Sequence, residues 1–135
     1  MPTVNSEWKK TGREVRVSVR NFKVVVDHPP EQRGTDLGPT PTELLLSALA
    51  GCYSGTMQAI ARAMSIPIES VRITADGVKG EKEYESLRSI TLKVEITPKV
   101  ESPERLRLLL DQTKRNCTVS NTLTHSPTIT IEPAP

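Results

Sequence analysis

Between Leu44 and Ala61 the chain runs for 18 residues without a charged side chain. A stretch of that length and polarity has two outcomes: it crosses a bilayer, or it is a helix covered by other protein. Ser47, Gly51, Tyr53, Ser54, Gly55, Thr56 and Gln58 lie within it, which favours protein over lipid. Its start is marked three times over. Thr40 stands as the N-cap, Pro41 takes the first helical position, where a missing N–H costs nothing, and Glu43 completes a capping box with Thr40. The spacing predicts one helix from Pro41 to about Met64, and Pro67 prevents any continuation.

Strand patterns flank this helix. Val4 to Lys10 leads to a turn at Thr11-Gly12. Glu14 to Arg20 then alternates, with Val15, Val17 and Val19 on one face and Arg16, Ser18 and Arg20 on the other. Asn21-Phe22 turns the chain into the valine run Lys23 to Asp27, giving a small meander, and Glu31 to Gly38 reads as a polar loop. After the helix, Ser70 to Lys79 returns to strand, and Gly80 to Ser86 is expected to be a hairpin loop. Ile90, Leu92, Val94 and Ile96 then share one face of the clearest strand in the chain. Ser102-Pro103-Glu104 opens a second helix with Leu106, Leu109 and Leu110 on its inner stripe, ending near Asn116. Cys117 to Leu123 fits a short helical turn, and Thr128 to Glu132 a closing strand. The order β-β-β-α-β-β-α-β makes the class α+β, and residues 1–135 are expected to form a single domain.

Charge and composition narrow the partners. The 18 basic residues are interspersed with 16 acidic ones, for a net charge of +2, so no basic tract marks a nucleic-acid surface. No basic segment followed by an apolar one opens the chain, so a cytoplasmic protein without a membrane anchor is expected. One Trp, two Tyr and one Phe leave the core to Leu, Ile, Val and Ala, with room for a partner to complete the burial.

The chain has two cysteines, 65 residues apart. Taken separately, each reads as a small buried hydrophobe. A static disulfide is disfavoured in a reducing compartment, and a zinc site built with His28 and His125 would lack any C-x-x-C pairing. The small residues Ala50, Gly51, Ser54 and Gly55 would let backbone or another chain approach Cys52 closely. That property serves a reactive sulfur and plain helix packing equally well.

The surroundings of both cysteines resemble a known family. Gly38-Pro39-Thr40-Pro41-Thr42-Glu43-Leu44-Leu45-Leu46-Ser47-Ala48-Leu49-Ala50-Gly51-Cys52 is similar to the first signature of the OsmC/Ohr family of peroxide-detoxifying proteins. Asn116-Cys117-Thr118-Val119-Ser120-Asn121-Thr122-Leu123 is similar to its second, a Cys-Pro-Val-Ser-type box. The resemblance implies antiparallel sheets wrapped around two central helices in an intertwined homodimer. It also implies a thiol-dependent peroxidase without metal or organic cofactor. Cys52 would attack an organic hydroperoxide, Cys117 would close a disulfide with it, and an external dithiol such as a lipoyl protein would reduce the bridge.

Such chemistry needs a thiolate, and a free cysteine is mostly protonated at neutral pH. Cys52 sits deep within its expected helix, beyond useful reach of that helix's N-terminal dipole, so a cationic side chain is expected beside it. Arg13, just after the Gly12 turn, matches the register of the family's active-site arginine in the first hairpin, with Arg33 as competitor. The family's glutamate partner falls here on Thr42, and Glu43 lies one place nearer Cys52. Glu43 is thus a candidate both for that pairing and for the capping box. Two other readings remain open: an OsmC-like redox protein that handles persulfides or electrophiles, and a non-catalytic dimer that binds a small ligand.

Overall fold

The computed structural model describes residues 2–81 and 85–135. It divides into two compact units, Met1–Leu45 and Leu46–Pro135.

The first unit is an antiparallel meander of β1 (Asn5–Trp8), β2 (Val15–Val19) and β3 (Phe22–Val26), in that order across the sheet. Val15 pairs with Val26 and Val17 with Val24, so Val15, Val17 and Val19 share one face with Val24 and Val26, while Val25 pairs with Arg16 on the other. The turn between β2 and β3 is Arg20-Asn21, one place earlier than expected, because Phe22 already pairs with Val19. Arg20 adopts a left-handed φ of 51° there and lays its guanidinium over the Phe22 ring, 4.9 Å from the centroid.

Asp27 organises the loop that follows. It is 2% exposed. Its Oδ2 accepts from the Thr35 hydroxyl at 2.6 Å and the Leu37 N–H at 3.1 Å, and its Oδ1 accepts from the His28 N–H at 2.7 Å. The Thr35 hydroxyl, ahead of the backbone donors from His28 and Leu37, holds the Asp27 carboxyl well below the usual carboxylate range against the opposing effect of burial. The loop returns so tightly that a Cβ on Gly38 would lie 2.0 Å from the Val25 carbonyl oxygen, so no larger residue fits there.

Helix α1 (Pro41–Ala63) starts in the first unit and continues through the second. The predicted capping box is present: the Glu43 N–H donates to Thr40 Oγ1 at 3.2 Å, and Glu43 Oε1 accepts from the Thr40 N–H at 2.8 Å. In the second unit β4 (Ser70–Lys79) and β5 (Leu87–Thr97) form a long antiparallel hairpin. Its expected loop at Gly80 to Ser86 falls partly on residues 82–84, outside the described residues, although the Gly80 N–H reaches the Ser86 carbonyl at 3.0 Å. Helix α2 (Pro103–Asn116) is capped by Ser102, whose Oγ accepts from the Arg105 N–H at 3.2 Å.

The core of this unit is a stripe along α1. Leu49, Tyr53, Met57 and Ala61 recur every fourth residue and bury together with Ile66, Leu109 and Cys117, while Val71, Ile73, Leu92, Val94 and Ile96 of the hairpin pack against them. The Tyr53 hydroxyl donates to the Leu110 carbonyl at 2.9 Å, locking α1 to α2. The expectation that protein covers α1 is met along this stripe. Ala48, Gly51, Gly55 and Ala59 face outward.

Two expectations at the C-terminus are corrected. The residues after Cys117 form a full helix, α3 (Thr118–Thr124), and Thr128–Glu132 forms no strand. A strand needs a neighbour for its N–H and C=O groups, and here Ile129 is 81% and Ile131 92% exposed. The class remains α+β, with two antiparallel sheets and three α-helices among the described residues.

Because folding depresses the Asp27 carboxyl, its stabilisation is complete above the ordinary aspartate value of 3.8 and is lost as pH falls through and below it. Asp27→Asn, which sets an NH2 against one of the donors, should lower Tm by several degrees at pH 7. The deficit should shrink in acid; an equal deficit at pH 3 and pH 7 would exclude this role.

Candidate active site

The local chemistry of α2 ends where the second cysteine begins. Asn116 closes the helix with its Nδ2 on the Gln112 carbonyl at 2.8 Å, and Cys117 then leaves helical geometry at φ −82° and ψ 110°. That break restarts the chain as α3, with Cys117 as its N-cap residue. Asn121 secures the corner: its N–H donates to the Cys117 carbonyl at 2.9 Å and its Nδ2 to the Arg115 carbonyl at 3.0 Å. The first N–H groups of α3 are thereby left without partners inside their own helix, ready to meet an acceptor.

Cys52 is the group whose ionisation they influence. It lies half-buried on α1, beside the Leu49–Tyr53 stripe that packs α1 on α2. The Val119 amide favours the anion of its sulfur most, and the Cys117 thiol, the Thr56 hydroxyl and the Thr118 amide act in the same direction. Together they bring the Cys52 thiol below its ordinary value, the Val119 amide contributing most and partial burial opposing them. Cys117 is fully buried, and this burial, followed by its hydrogen bond to the Cys52 sulfur, pushes its own thiol up. The two free thiols belong to one core cluster and are unequal: Cys52 is biased toward the anion and Cys117 toward the protonated form.

The leading source of that bias is not the helix that carries Cys52. The dipole of α1 is indeed spent long before Cys52, but α3, a helix the sequence left as a single turn, supplies amides where α1 cannot. Thr118 contributes one of them. A proline in that place, as in the Cys-Pro-Val-Ser form, has no N–H to give.

The remaining candidates lie in the first unit. Arg13 Nη1 donates to the Arg33 carbonyl at 3.0 Å, so the two candidate arginines are neighbours. Arg33 itself ends the 3-10 turn Pro30–Gln32 with a left-handed φ of 68°. An open hollow of about 380 Å³ beside them is lined in part by Lys10, Gly12, Arg13, Thr35 and Leu37. Glu43 holds the Thr40 N–H in the capping box, and that bond lowers its carboxyl. The structure thus joins Cys52 to Cys117, Arg13 to Arg33, and Glu43 to Thr40.

Sequence reasoning passed over Thr56, Asp27 and the α3 amides. Thr56 had a legible signal, four residues beyond Cys52 and so on the same face of the helix. The amides had none, since any residue but proline carries one.

A family model described as OsmC-like protein matches residues 34–132. No curated protein matches the sequence. Solved structures match the fold. An OsmC-like protein from Mycoplasma pneumoniae is 25% identical, with a TM-score of 0.81 over 93% of this chain and 89% of its own. An organic hydroperoxide resistance protein from Elizabethkingia anophelis, with thiocyanate bound, is 20% identical, with a TM-score of 0.76 over 93% of this chain and 89% of its own. An organic hydroperoxide resistance protein OsmC from Legionella pneumophila is 18% identical, with a TM-score of 0.73 over 91% of this chain and 88% of its own.

The inequality of the thiols is measurable without any substrate. At neutral pH iodoacetamide should label Cys52 faster than Cys117, because the Cys52 thiol lies below its ordinary value and the Cys117 thiol above. Peptide mapping showing equal labelling, or Cys117 first, would overturn the assignment.

Proposed function

The chain belongs to the OsmC-like protein family, and on that premise we propose that it is a thiol-dependent peroxidase that reduces organic hydroperoxides to alcohols. The observation that carries this reading is the pair of unequal thiols in one core cluster. The descriptions of two fold relatives as organic hydroperoxide resistance proteins agree with it.

The Cys52 thiolate attacks one oxygen of the hydroperoxide. An S–O bond forms, the O–O bond breaks, and the departing alkoxide takes up a proton to become the alcohol. Cys52 is left as a sulfenic acid. The Cys117 sulfur then attacks the Cys52 sulfur; an S–S bond forms, the S–O bond breaks, and the oxygen leaves as water. The same neighbour that donated a proton to the thiolate thus becomes the resolving thiol, and its burial keeps it from other oxidants. An external dithiol, of which a lipoyl protein is one form, restores both thiols by two exchanges and is itself oxidised to a disulfide.

Arg13 is assigned to the hydroperoxide as a permanent cation, with Arg33 beside it. Glu43 is assigned an indirect part: it fixes the N-terminus of the helix that carries Cys52. The whole chain acts as one domain of a cytoplasmic homodimer, in a compartment where reduced thiols are maintained. Support for a second copy comes from two exposed surfaces. One is the small-residue face of α1, where a Cβ added to Gly51 or Gly55 meets nothing within 4 Å. The other is the unpaired segment carrying Ile129 and Ile131.

One equivalent of an organic hydroperoxide should consume both thiols of the native chain and leave a Cys52–Cys117 disulfide. Cys52→Ser should abolish turnover, a loss of at least about 10³-fold. Cys117→Ser should complete one reduction and then accumulate overoxidised Cys52 or a mixed disulfide. Full activity in both variants, or thiols untouched by hydroperoxide but consumed by persulfide or electrophile, would reject the reading. Light scattering should give twice the 14.9 kDa chain mass, and a monomeric mass would reject the homodimer.

A further inference from the structure

Asp27 is the only buried carboxylate among the described residues, and the thiol chemistry makes no use of it. Its two oxygens receive donors from both ends of one loop. Oδ1 accepts from the His28 N–H at 2.7 Å and the Thr35 N–H at 3.3 Å, and Oδ2 from the Thr35 hydroxyl at 2.6 Å and the Leu37 N–H at 3.1 Å. Residues 28–37 are thereby drawn into a closed ring. The Asp36 N–H completes it on the His28 carbonyl at 3.0 Å, and the chain passes so close to itself that a Cβ on Gly34 would lie 1.8 Å from that same oxygen. A satisfied buried network of this kind fixes the backbone it joins.

Arg33 stands on the far side of the ring. Its N–H donates to the Pro30 carbonyl at 2.9 Å, the Gly34 N–H donates to the Pro29 carbonyl at 3.1 Å, and a left-handed φ of 68° at Arg33 sets the direction of the carbonyl between them. That carbonyl accepts from Arg13 Nη1 at 3.0 Å. Arg13 is exposed and, among the described residues, has no carboxylate within ion-pair distance. A long side chain with that freedom is aimed only as well as its anchor is held. Thr35 and Leu37, both bonded to Asp27, line the same hollow as Arg13, although Asp27 itself does not.

We propose that Asp27 is a positioning residue for Arg13: the buried carboxylate closes the 28–37 ring, and the Arg33 carbonyl in that ring aims the guanidinium assigned to the hydroperoxide. This role rests on the peroxidase reading for its catalytic meaning, while the link from Asp27 to Arg13 is a property of the resting chain. Asparagine is no substitute for the carboxylate, since its NH2 would face two of the four donors.

Two measurements on the full chain, made below the melting range of every variant, separate the link from its catalytic meaning. In the first, phenylglyoxal labels arginines without any peroxide, and mass spectrometry follows each site. Asp27→Asn should speed labelling of Arg13 about threefold, the release of one hydrogen bond, and leave Arg72 on β4 unchanged as the control for unfolding. Thr35→Val, which removes the hydroxyl donor, should act in the same direction, whereas Thr35→Ser, which keeps it, should label at the native rate. In the second, kcat/KM is measured with tert-butyl hydroperoxide. Asp27→Asn should lower it about tenfold in the native background and less than about threefold in an Arg13→Ala background, because a residue that acts through Arg13 then has nothing left to aim. A carboxylate with a merely structural part would cost the same factor in both. Native labelling of Arg13 in Asp27→Asn, or equal losses in the two backgrounds, overturns the proposal. A native chain that turns over no hydroperoxide rejects the peroxidase reading alone, and the labelling still decides the link.

Discussion

The packing of α1 on α2 is the constraint on which everything else in the second unit depends. Leu49, Tyr53 and Met57 turn one stripe of α1 inward against Leu109, and each such burial contributes about 1.5–3 kcal/mol. The Tyr53 hydroxyl on the Leu110 carbonyl fixes the register of that contact, because another register would leave the phenol without its partner. Cys52 immediately precedes Tyr53, and Cys117 lies two turns beyond Leu109, so the same packing that builds the core brings the sulfurs together. Redox chemistry here is a consequence of where the core stripe ends.

That geometry assigns different tasks to two chemically identical side chains. Cys52 stands where helix α3 begins, surrounded by donors and half-open to solvent; Cys117 caps the same helix from within the core. The Val119 amide is the largest single contribution to the anion's stabilisation, and a backbone amide is fixed in place before any substrate arrives. An arginine assigned to the hydroperoxide would then act on the substrate rather than bear the whole burden of ionising the sulfur. The first unit shows a parallel economy: one buried carboxylate, Asp27, gathers the loop that also carries Arg33.

Elements whose stability is local were legible in the chain. The Thr40-Pro41-Glu43 start, the Ser102 cap, the inner leucines of α2 and the alternation of β5 involve residues a few places apart, and all appear as expected. What escaped depends on distant partners. Thr128–Glu132 has the alternation of a strand but no neighbour to complete one. Helix α3 looks weak by propensity, with three threonines in seven residues, and stands because Asn121 and Val119 anchor it to α2 and the core. Asp27 resembled the polar end of a valine strand, since its Thr35 partner lies eight residues away across a loop.

By itself, then, the sequence determined the α+β class, the span of both long helices, the capping function of Glu43 and the pair of cysteine segments worth attention. These rest on periodicity and on short-range hydrogen bonds. The tertiary structure decided that the two cysteines share one core cluster and that Cys52 is the better anion, chiefly through the Val119 amide. Bringing residues 52 and 117 into one cluster depends on how helices pack, which no local pattern encodes.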